Sequence, residues 1–365
     1  MHYYIISGEL SGDLYGSYLI HALRKHDKDA LFTCWGGDYM KKAGGNVVVN
    51  LSDLSFMGFW EVFKNSRKIL KNLFFAKKHI KDVRPDALIL IDYPGFNMQI
   101  AKYAKKHNIP VFWFIAPQLW AWNGSRIKKM QKYVDVLFVA LPFEQNYFNK
   151  RGVKTFYFGH PILDTLPHNL NSDKINKLGK PIIALLPGSR ENEVQYMLPV
   201  MLEASSRFSD YRIIVLCAPN IARSFYEHLT HGFNVELKFD KDLLPYVHAA
   251  VVTSGTASLE LTFYKIPQVV CYKLNMISFM LAKLFIRVKY ISLVNIIANK
   301  LVVEELIQNN FNVDNLQLSI KNILLEKNRK NQITAYESVV KDLGVSGCFK
   351  KISQVIYSDL VGIKK

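Results

Sequence analysis

Short runs rich in β-branched and aromatic residues recur at 3–7, 87–92, 110–116, 135–140, 181–186, 211–217, 248–253 and 267–272, running into Gly, Pro or Asp and then into helical patterning. This alternation constrains the fold more than any other feature. Strands separated by helices build βαβ units, which form parallel sheets covered on both faces. The series restarts after the Pro/Asn/Asp/Gly-rich stretch "FGHPILDTLPHNLNSDKINKLGKP" at 158–181, and a chain of 365 residues exceeds a usual single core. The expectation is therefore an α/β protein with two Rossmann-like domains. No short-period repeat or low-complexity segment interrupts the pattern. In open parallel sheets ligands sit beyond the carboxyl ends of the strands, so the residues just after each run are the ones to inspect.

Composition narrows the class. Half the residues are hydrophobic and 21% are charged, as in a packed globular enzyme rather than a disordered or fibrous chain. Cys34, Cys217, Cys271 and Cys348 lie far apart, without a C-x-x-C pair, which gives neither a disulfide framework nor a zinc pattern and points to a reducing compartment. The start, MHYYIISGEL, lacks the basic and apolar regions of a signal peptide, so a cytoplasmic location is expected.

A net charge of +17 points to a polyanionic partner: nucleic acid, anionic lipid or a phosphorylated substrate. Its densest source is "FWEVFKNSRKILKNLFFAKKHIKD" at 59–82, where Lys64, Arg67, Lys68, Lys71, Lys77, Lys78 and Lys81 interleave with Phe63, Leu70, Phe74 and Phe75. A basic helix studded with Phe and Leu fits a segment lying in a lipid interface, and equally an ordinary amphipathic surface helix. "MISFMLAKLFIRVKYISL" at 276–293 repeats the mixture, which favours lipid. No run is long and charge-free enough to span a bilayer.

Four strand ends could carry chemistry. "LILIDYPGFN" ends a buried-looking run in Asp92, a carboxylate that either takes a proton from a sugar hydroxyl or only shapes the turn before Pro94. In "LLPGSRENEV", Gly188, Ser189 and Arg190 lie between a strand and a helix and offer an anion backbone N–H groups, a helix N-terminus and a guanidinium fork. "VVTSGTASLELTF" repeats that design with Ser254, Gly255, Thr256 and Ala257, so two such loops would grip a diphosphate; Glu260 follows where acidic residues hold ribose hydroxyls. Neither loop has P-loop spacing. "YYIISGELSGDLYG" opens the chain with Glu9, Ser11, Gly12 and Asp13 after the first strand. It lacks G-x-G-x-x-G, which makes it a wall of an acceptor pocket rather than a phosphate grip, with Asp13 also able to cap the helix beginning at Leu14. Trp113, Trp120 and Trp122 in "VFWFIAPQLWAWNGS" are core residues by default and a cleft wall by position, and His160 at the domain junction reads as a satisfied structural histidine. No H-x-x-x-H, D-x-D or His/Cys cluster suggests a metal, and no cofactor is expected.

These segments, together with "LPFE" (141–144), "GHP" (159–161) and "SLVNIIA" (292–298), occur in the order found in the lipid A disaccharide synthase family, which the chain resembles over essentially its whole length. The resemblance implies a GT-B fold, with parallel-sheet domains facing an interdomain cleft. It implies residues 1–163 as acceptor and membrane-facing domain, rejoined by 345–365, and 164–344 as UDP-sugar domain. It implies inverting transfer from UDP-2,3-diacylglucosamine to 2,3-diacylglucosamine 1-phosphate (lipid X), giving a β-1,6-linked disaccharide 1-phosphate and UDP. Asp92 matches the general base. Arg190, Ser254, Gly255, Thr256, Glu260, Asn295, Glu305 and Gln308 match donor positions, and Glu9, Ser11, Gly12, Asp13, Met57, Trp120 and Trp122 fall to the acceptor side. Partners implied are the two acylated substrates and the cytoplasmic face of the inner membrane, touched through Phe74, Phe75, Lys77 and Lys78, rather than nucleic acid; a homodimer is compatible. Two departures stand out: Gly95 where many relatives have Asp, and Val294 where they have Pro before the asparagine. The competing expectations are another GT-B UDP-sugar enzyme, such as a UDP-N-acetylglucosamine epimerase, and a non-catalytic binder of membranes or nucleic acid.

Overall fold

The computed structural model describes residues 1–51, 66–122, 126–166, 179–273 and 289–364. Two compact units result. The first contains Met1–Thr165 and takes back Leu343–Lys365; the second lies between Leu166 and Asp342.

In the first unit β1 (His2–Ser7), β2 (Leu31–Gly36), β3 (Asn46–Asn50), β4 (Ala87–Ile91), β5 (Val111–Phe114), β6 (Val136–Phe138) and β7 (Thr155–Phe156) form one parallel sheet, ordered β3-β2-β1-β4-β5-β6-β7. Its central strands are apolar throughout because both faces are covered. Tyr3, Ile5, Ala87, Ile89 and Ile91 face the core under the helices Leu10–Arg24 and Cys348–Lys364, while Tyr4, Ile6, Leu88 and Leu90 face the core under Ser66–Val83, Pro94–Lys106 and Ile127–Tyr133.

The last helix seats in the first unit through Phe349, whose ring stacks on Tyr18 at 5.3 Å and meets Phe114 edge-on at 5.9 Å. The returning chain is tied down where it enters. Tyr157 Oη and His160 N both donate to the Leu343 carbonyl, at 2.7 and 3.0 Å, and the Asp164 carboxylate accepts from Gly347 N and Phe349 N. Gly159 is needed here: its φ is +100°, and a Cβ would lie 2.4 Å from the Val345 carbonyl oxygen.

The second unit repeats the plan. Strands β8 (Ile182–Leu186), β9 (Arg212–Leu216), β10 (Glu236–Lys238), β11 (Ala249–Thr253), β12 (Gln268–Tyr272) and β13 (Glu304–Ile307) form a parallel sheet ordered β10-β9-β8-β11-β12-β13. Both sheets thus have the doubly wound order in which the first strand of the unit lies beside its fourth, and the strand direction of build-up reverses between them. That reversal point lies between β1 and β4 in one unit, with Ser7 beside Ile91, and between β8 and β11 in the other, with Leu186 beside Val252. The four cysteines are buried and free. Among the described residues no helix is long and apolar enough to cross a membrane.

Candidate active site

The four loops singled out in the sequence leave the strands that flank the two reversal points. After β1 the chain turns through Gly8 and Glu9 into the helix Leu10–Arg24, and after β4 through Asp92 and Tyr93 into Pro94–Lys106. The two loops touch at Gly8, where a Cβ would lie 2.5 Å from Cγ of Tyr93, and within the first of them a Cβ on Gly12 would lie 2.9 Å from Cβ of Ser7. Only glycine permits either approach. Glu9 and Ser11 are half-buried at this helix start.

Asp92 is half-buried, and both it and Tyr93 have left-handed backbones, φ 49° and 50°. Ile115, directly after β5, has φ 67°, which is costly for a β-branched residue. Three non-glycine residues in sparsely populated conformations at neighbouring strand ends mark a site the surrounding fold holds under constraint. Asn97, fully buried, supplies part of that constraint by donating from Nδ2 to the Asp92 carbonyl at 2.7 Å, while Asp92 N donates to Phe114 O at 3.0 Å. Gly95 is exposed with open space at its Cβ position, so the departure from Asp reflects no steric demand of this chain.

Asp13 serves a different end from the one expected. Its buried carboxylate accepts from Gly37 N at 2.7 Å, Tyr39 N at 3.0 Å and Met40 N at 3.1 Å, so it caps the helix Asp38–Lys42 from a neighbouring element rather than capping its own, which already starts at Leu10. With three backbone donors it holds the β2 loop against the first helix.

One residue carrying weight here had served only as part of a motif. Glu144, on the helix Pro142–Asn149 after β6, accepts from Trp120 Nε1 at 2.9 Å and from Leu141 N at 3.0 Å. Trp120 also meets Phe143 edge-on at 5.0 Å. Burial raises the Glu144 carboxyl to about 7, against the lowering effect of its hydrogen bonds. The signal was a Pro-Phe-Glu step at the start of a helix, where a carboxylate at the third position reaches back to a free N–H. Met57 and the side chain of Trp122 lie outside the described residues. His160 is buried, accepts from Ile162 N through Nδ1 at 3.1 Å and is held neutral by desolvation, its pKa lowered to about 3.

In the second unit the Pro187–Arg190 loop folds around Glu193. That side chain accepts from Ser189 N at 3.1 Å and from Arg190 Nη1 at 2.8 Å, and Gly188, at φ +126°, leaves it room, since a Cβ there would lie 2.7 Å from Glu193 Oε2. The helix Glu191–Ser205 begins immediately after, with its N–H groups at the strand end. Beside it, Ser254, Gly255, Thr256 and Ala257 open the helix Thr256–Phe263, and Ser254 Oγ donates to Ile291 O at 2.9 Å. Tyr272 ends β12, the strand beside β11, and burial raises the pKa of its hydroxyl. Glu260, nearly buried in the same helix, pairs with Lys241.

Asn295, Glu305 and Gln308 behave differently from the loop residues. Asn295 is fully buried; its Oδ1 accepts from Val302 N and Val303 N at 2.7 and 2.9 Å, and its Nδ2 donates to Val303 O and Glu305 Oε1 at 2.8 Å each. Glu305 also accepts from Ile291 N and Ser292 N. Both side chains therefore shape the segment that Ser254 is tied to. Gln308 follows β13 with φ 54°. Val294 N donates to Ser292 Oγ at 3.1 Å, capping the helix Leu293–Ala298 with a bond that proline could not make. Among the described residues no group of three or more His, Cys, Asp or Glu is placed to hold a metal ion.

A groove of about 510 Å³ opens elsewhere, at the amino ends of β4 and β5, beside Lys81, Arg84, Tyr103 and His107, and includes none of the strand-end loop residues.

Two parallel sheets of one strand order, each with a pair of loops leaving the strands at its reversal point, define a GT-B-type protein. Solved structures of that architecture cover the chain almost completely: a Staphylococcus aureus MnaA–UDP structure at TM-score 0.67 and 13% identity, covering 98% of this chain and 97% of that one, and a Methanocaldococcus jannaschii UDP-GlcNAc 2-epimerase complex with UDP-GlcNAc and UDP at TM-score 0.66 and 16% identity, covering 98% and 100%. At such identities they speak to the fold alone. The sequence comparisons are more specific. The family model described as Lipid-A-disaccharide synthetase matches residues 3–355. A lipid-A-disaccharide synthase of Coxiella burnetii is 35% identical over 317 residues (83% of this chain, 84% of that protein), and one of Syntrophus aciditrophicus is 35% identical over 362 residues (95% and 94%). The chain belongs to the lipid-A-disaccharide synthase family.

Proposed function

We propose that this glycosyltransferase condenses UDP-2,3-diacylglucosamine with 2,3-diacylglucosamine 1-phosphate, giving the β-1,6-linked disaccharide 1-phosphate and UDP with inversion. The observation that carries this reading is the position of Asp92: a half-buried carboxylate at the reversal point of the first sheet, in a chain of this family. In the step proposed, Asp92 removes the proton of the acceptor 6-hydroxyl as that oxygen bonds to the anomeric carbon. The bond from the anomeric carbon to the UDP oxygen breaks on the opposite face, and UDP keeps the electron pair.

The donor is assigned to the second unit. The diphosphate would lie against the starts of the helices Glu191–Ser205 and Thr256–Phe263, where backbone N–H groups and Arg190 stabilise the growing negative charge. These donors do the work a cation would do, so we propose that no metal is required. Glu260 is assigned to the ribose hydroxyls. The acceptor is assigned to the first unit, with Glu9, Ser11 and Trp120 at the neighbouring strand ends.

Membrane attachment is assigned to the helix Ser66–Val83. Arg67, Leu70, Lys71, Phe74, Lys78 and Lys81 recur at helical spacing and are all exposed, Phe74 by 69% and Leu70 by 53%, while Ala76 and Ile80 are buried against the sheet. Aromatic and basic side chains on one face suit the interface of an anionic leaflet. The part of this segment at 59–65, and 276–288 of the second apolar-basic stretch, lie outside the described residues. The epimerase reading rests on fold likeness at 13–16% identity, whereas the family match supports the synthase.

The test is a turnover assay with synthetic UDP-diacylglucosamine and lipid X, run with and without EDTA. Disaccharide 1-phosphate and UDP should appear in equal amounts in both. Conversion of UDP-N-acetylglucosamine without an acceptor would support an epimerase instead, and loss of turnover in EDTA would refute metal independence.

A further inference from the structure

Glu260 projects from the helix Thr256–Phe263 with its side chain only 10% exposed, and its Oε2 accepts from the ammonium of Lys241. Among the described residues its other carboxylate oxygen makes no hydrogen bond. Lys241 comes from a different element, the turn after β10, where Leu244 N donates to its carbonyl at 2.9 Å and fixes the backbone. Its own side chain is 62% exposed. A nearly buried carboxylate is thus neutralised by a cation that reaches in from solvent.

A ribose presents two adjacent hydroxyls, and a carboxylate that takes both uses both of its oxygens. With Lys241 in place one of them is occupied. We propose that Lys241 is a specificity-setting residue of the donor site: it stands in for the ribose diol at Glu260 when the site is empty and withdraws when the nucleotide arrives. This rests on the assignment of Glu260 to ribose given above. Desolvation explains why a stand-in is useful, since Glu260 left unpaired would be an uncompensated, nearly buried charge. Exposure explains why it can leave, because an ion pair with one partner largely in water contributes little net stability. The consequence is thermodynamic. In the native chain, a nucleotide lacking the diol lets Lys241 remain on Glu260, which softens the penalty for the missing hydroxyls. Without Lys241 the full value of the diol contacts is felt.

Isothermal titration of UDP and 2′,3′-dideoxy-UDP tests this on the native chain, Lys241→Ala, Lys241→Arg, Glu260→Gln and the double variant Lys241→Ala/Glu260→Gln. Removing Lys241 should tighten UDP binding, leave dideoxy-UDP nearly unchanged, and so raise the affinity ratio between them by about fivefold or more. Lys241→Arg should keep the native ratio, since it restores a cation to Glu260, and Glu260→Gln should make the ratio insensitive to residue 241. Equal weakening of both nucleotides by Lys241→Ala, or an unchanged ratio, would overturn the proposal while leaving the UDP site standing. If the native chain bound no UDP at all, the donor-site assignment would fall, and this proposal with it.

Discussion

The ring of Tyr93 lies against Gly8, so close that a Cβ on Gly8 would sit 2.5 Å from its Cγ. This contact locks the loop after β1 to the loop that carries Asp92, and Tyr93 is itself held by stacking on Phe96 at 5.1 Å. Gly8→Ala should therefore displace Tyr93 and, with it, the base. We expect kcat to fall by about tenfold or more with UDP affinity unchanged, since misplacement by a fraction of an ångström is enough. The double variant Gly8→Ala/Tyr93→Ala should recover part of the loss. Wild-type kinetics in Gly8→Ala would show that the loops are not coupled.

Asn97 holds Asp92 through the backbone rather than through the carboxylate. Truncation to Ala leaves the Asp92 carbonyl without its 2.7 Å donor, a loss of about 1 kcal/mol for a part-buried hydrogen bond. Chemical denaturation should show that loss, and steady-state assay should show reduced kcat with little change in donor KM. A variant destabilised but fully active would confine Asn97 to folding.

His160 gives the fold an acid limit. Its pKa falls from 6.5 to about 3 on folding, so below pH 6.5 the unfolded chain takes up a proton the native chain refuses, and stability declines as pH falls through that window. The slope approaches about 1.4 kcal/mol per pH unit from this one group. Glu144 acts in the opposite sense: its pKa, raised from 4.5 to about 7, gives stability that is complete below 4.5 and lost as pH rises towards 7. Melting temperatures from pH 7.5 to 4.5 should fall less steeply at the acid end for His160→Gln than for the native chain, and more steeply overall for Glu144→Gln. Parallel curves would contradict both assignments.

The apolar-basic face of the helix Ser66–Val83 predicts binding to anionic vesicles. Replacing Phe74 and Leu70 with Ser and Lys71 and Lys78 with Gln should weaken sedimentation with phosphatidylglycerol vesicles by about tenfold or more, and salt should reproduce the loss of the charged part. Unchanged binding would move attachment to another surface.

The eight runs read as strands in the sequence all correspond to strands, because residues buried on both faces leave uninterrupted apolar runs: "ALILI" at β4 and "IIALL" at β8 show no alternation to confuse. Five strands left no such trace. β7, β10 and β13 are two to four residues long at sheet edges, and β2 and β3, "LFTCWG" and "NVVVN", mix polar residues into the run. The site divides similarly. Loops at strand ends were legible because glycine and small residues recur there. Side chains whose partners lie on another element were not: Asp13 bonds the backbone at 37–40, Asn295 the backbone of the strand entry at 302–303, and Lys241 the carboxylate of Glu260. Their partners are set by strand order, and sequence alone does not reveal that β1 lies beside β4 or β8 beside β11.

The central claim is that Asp92 takes the proton of the acceptor hydroxyl. Transfer to lipid X at saturating donor, measured for Asp92→Asn beside a UDP titration of the same preparation, tests it most directly. For Asp92→Asn, kcat should be lower by about 10²–10⁴ with UDP affinity unchanged; turnover within about threefold of the native chain would show that another group takes the proton.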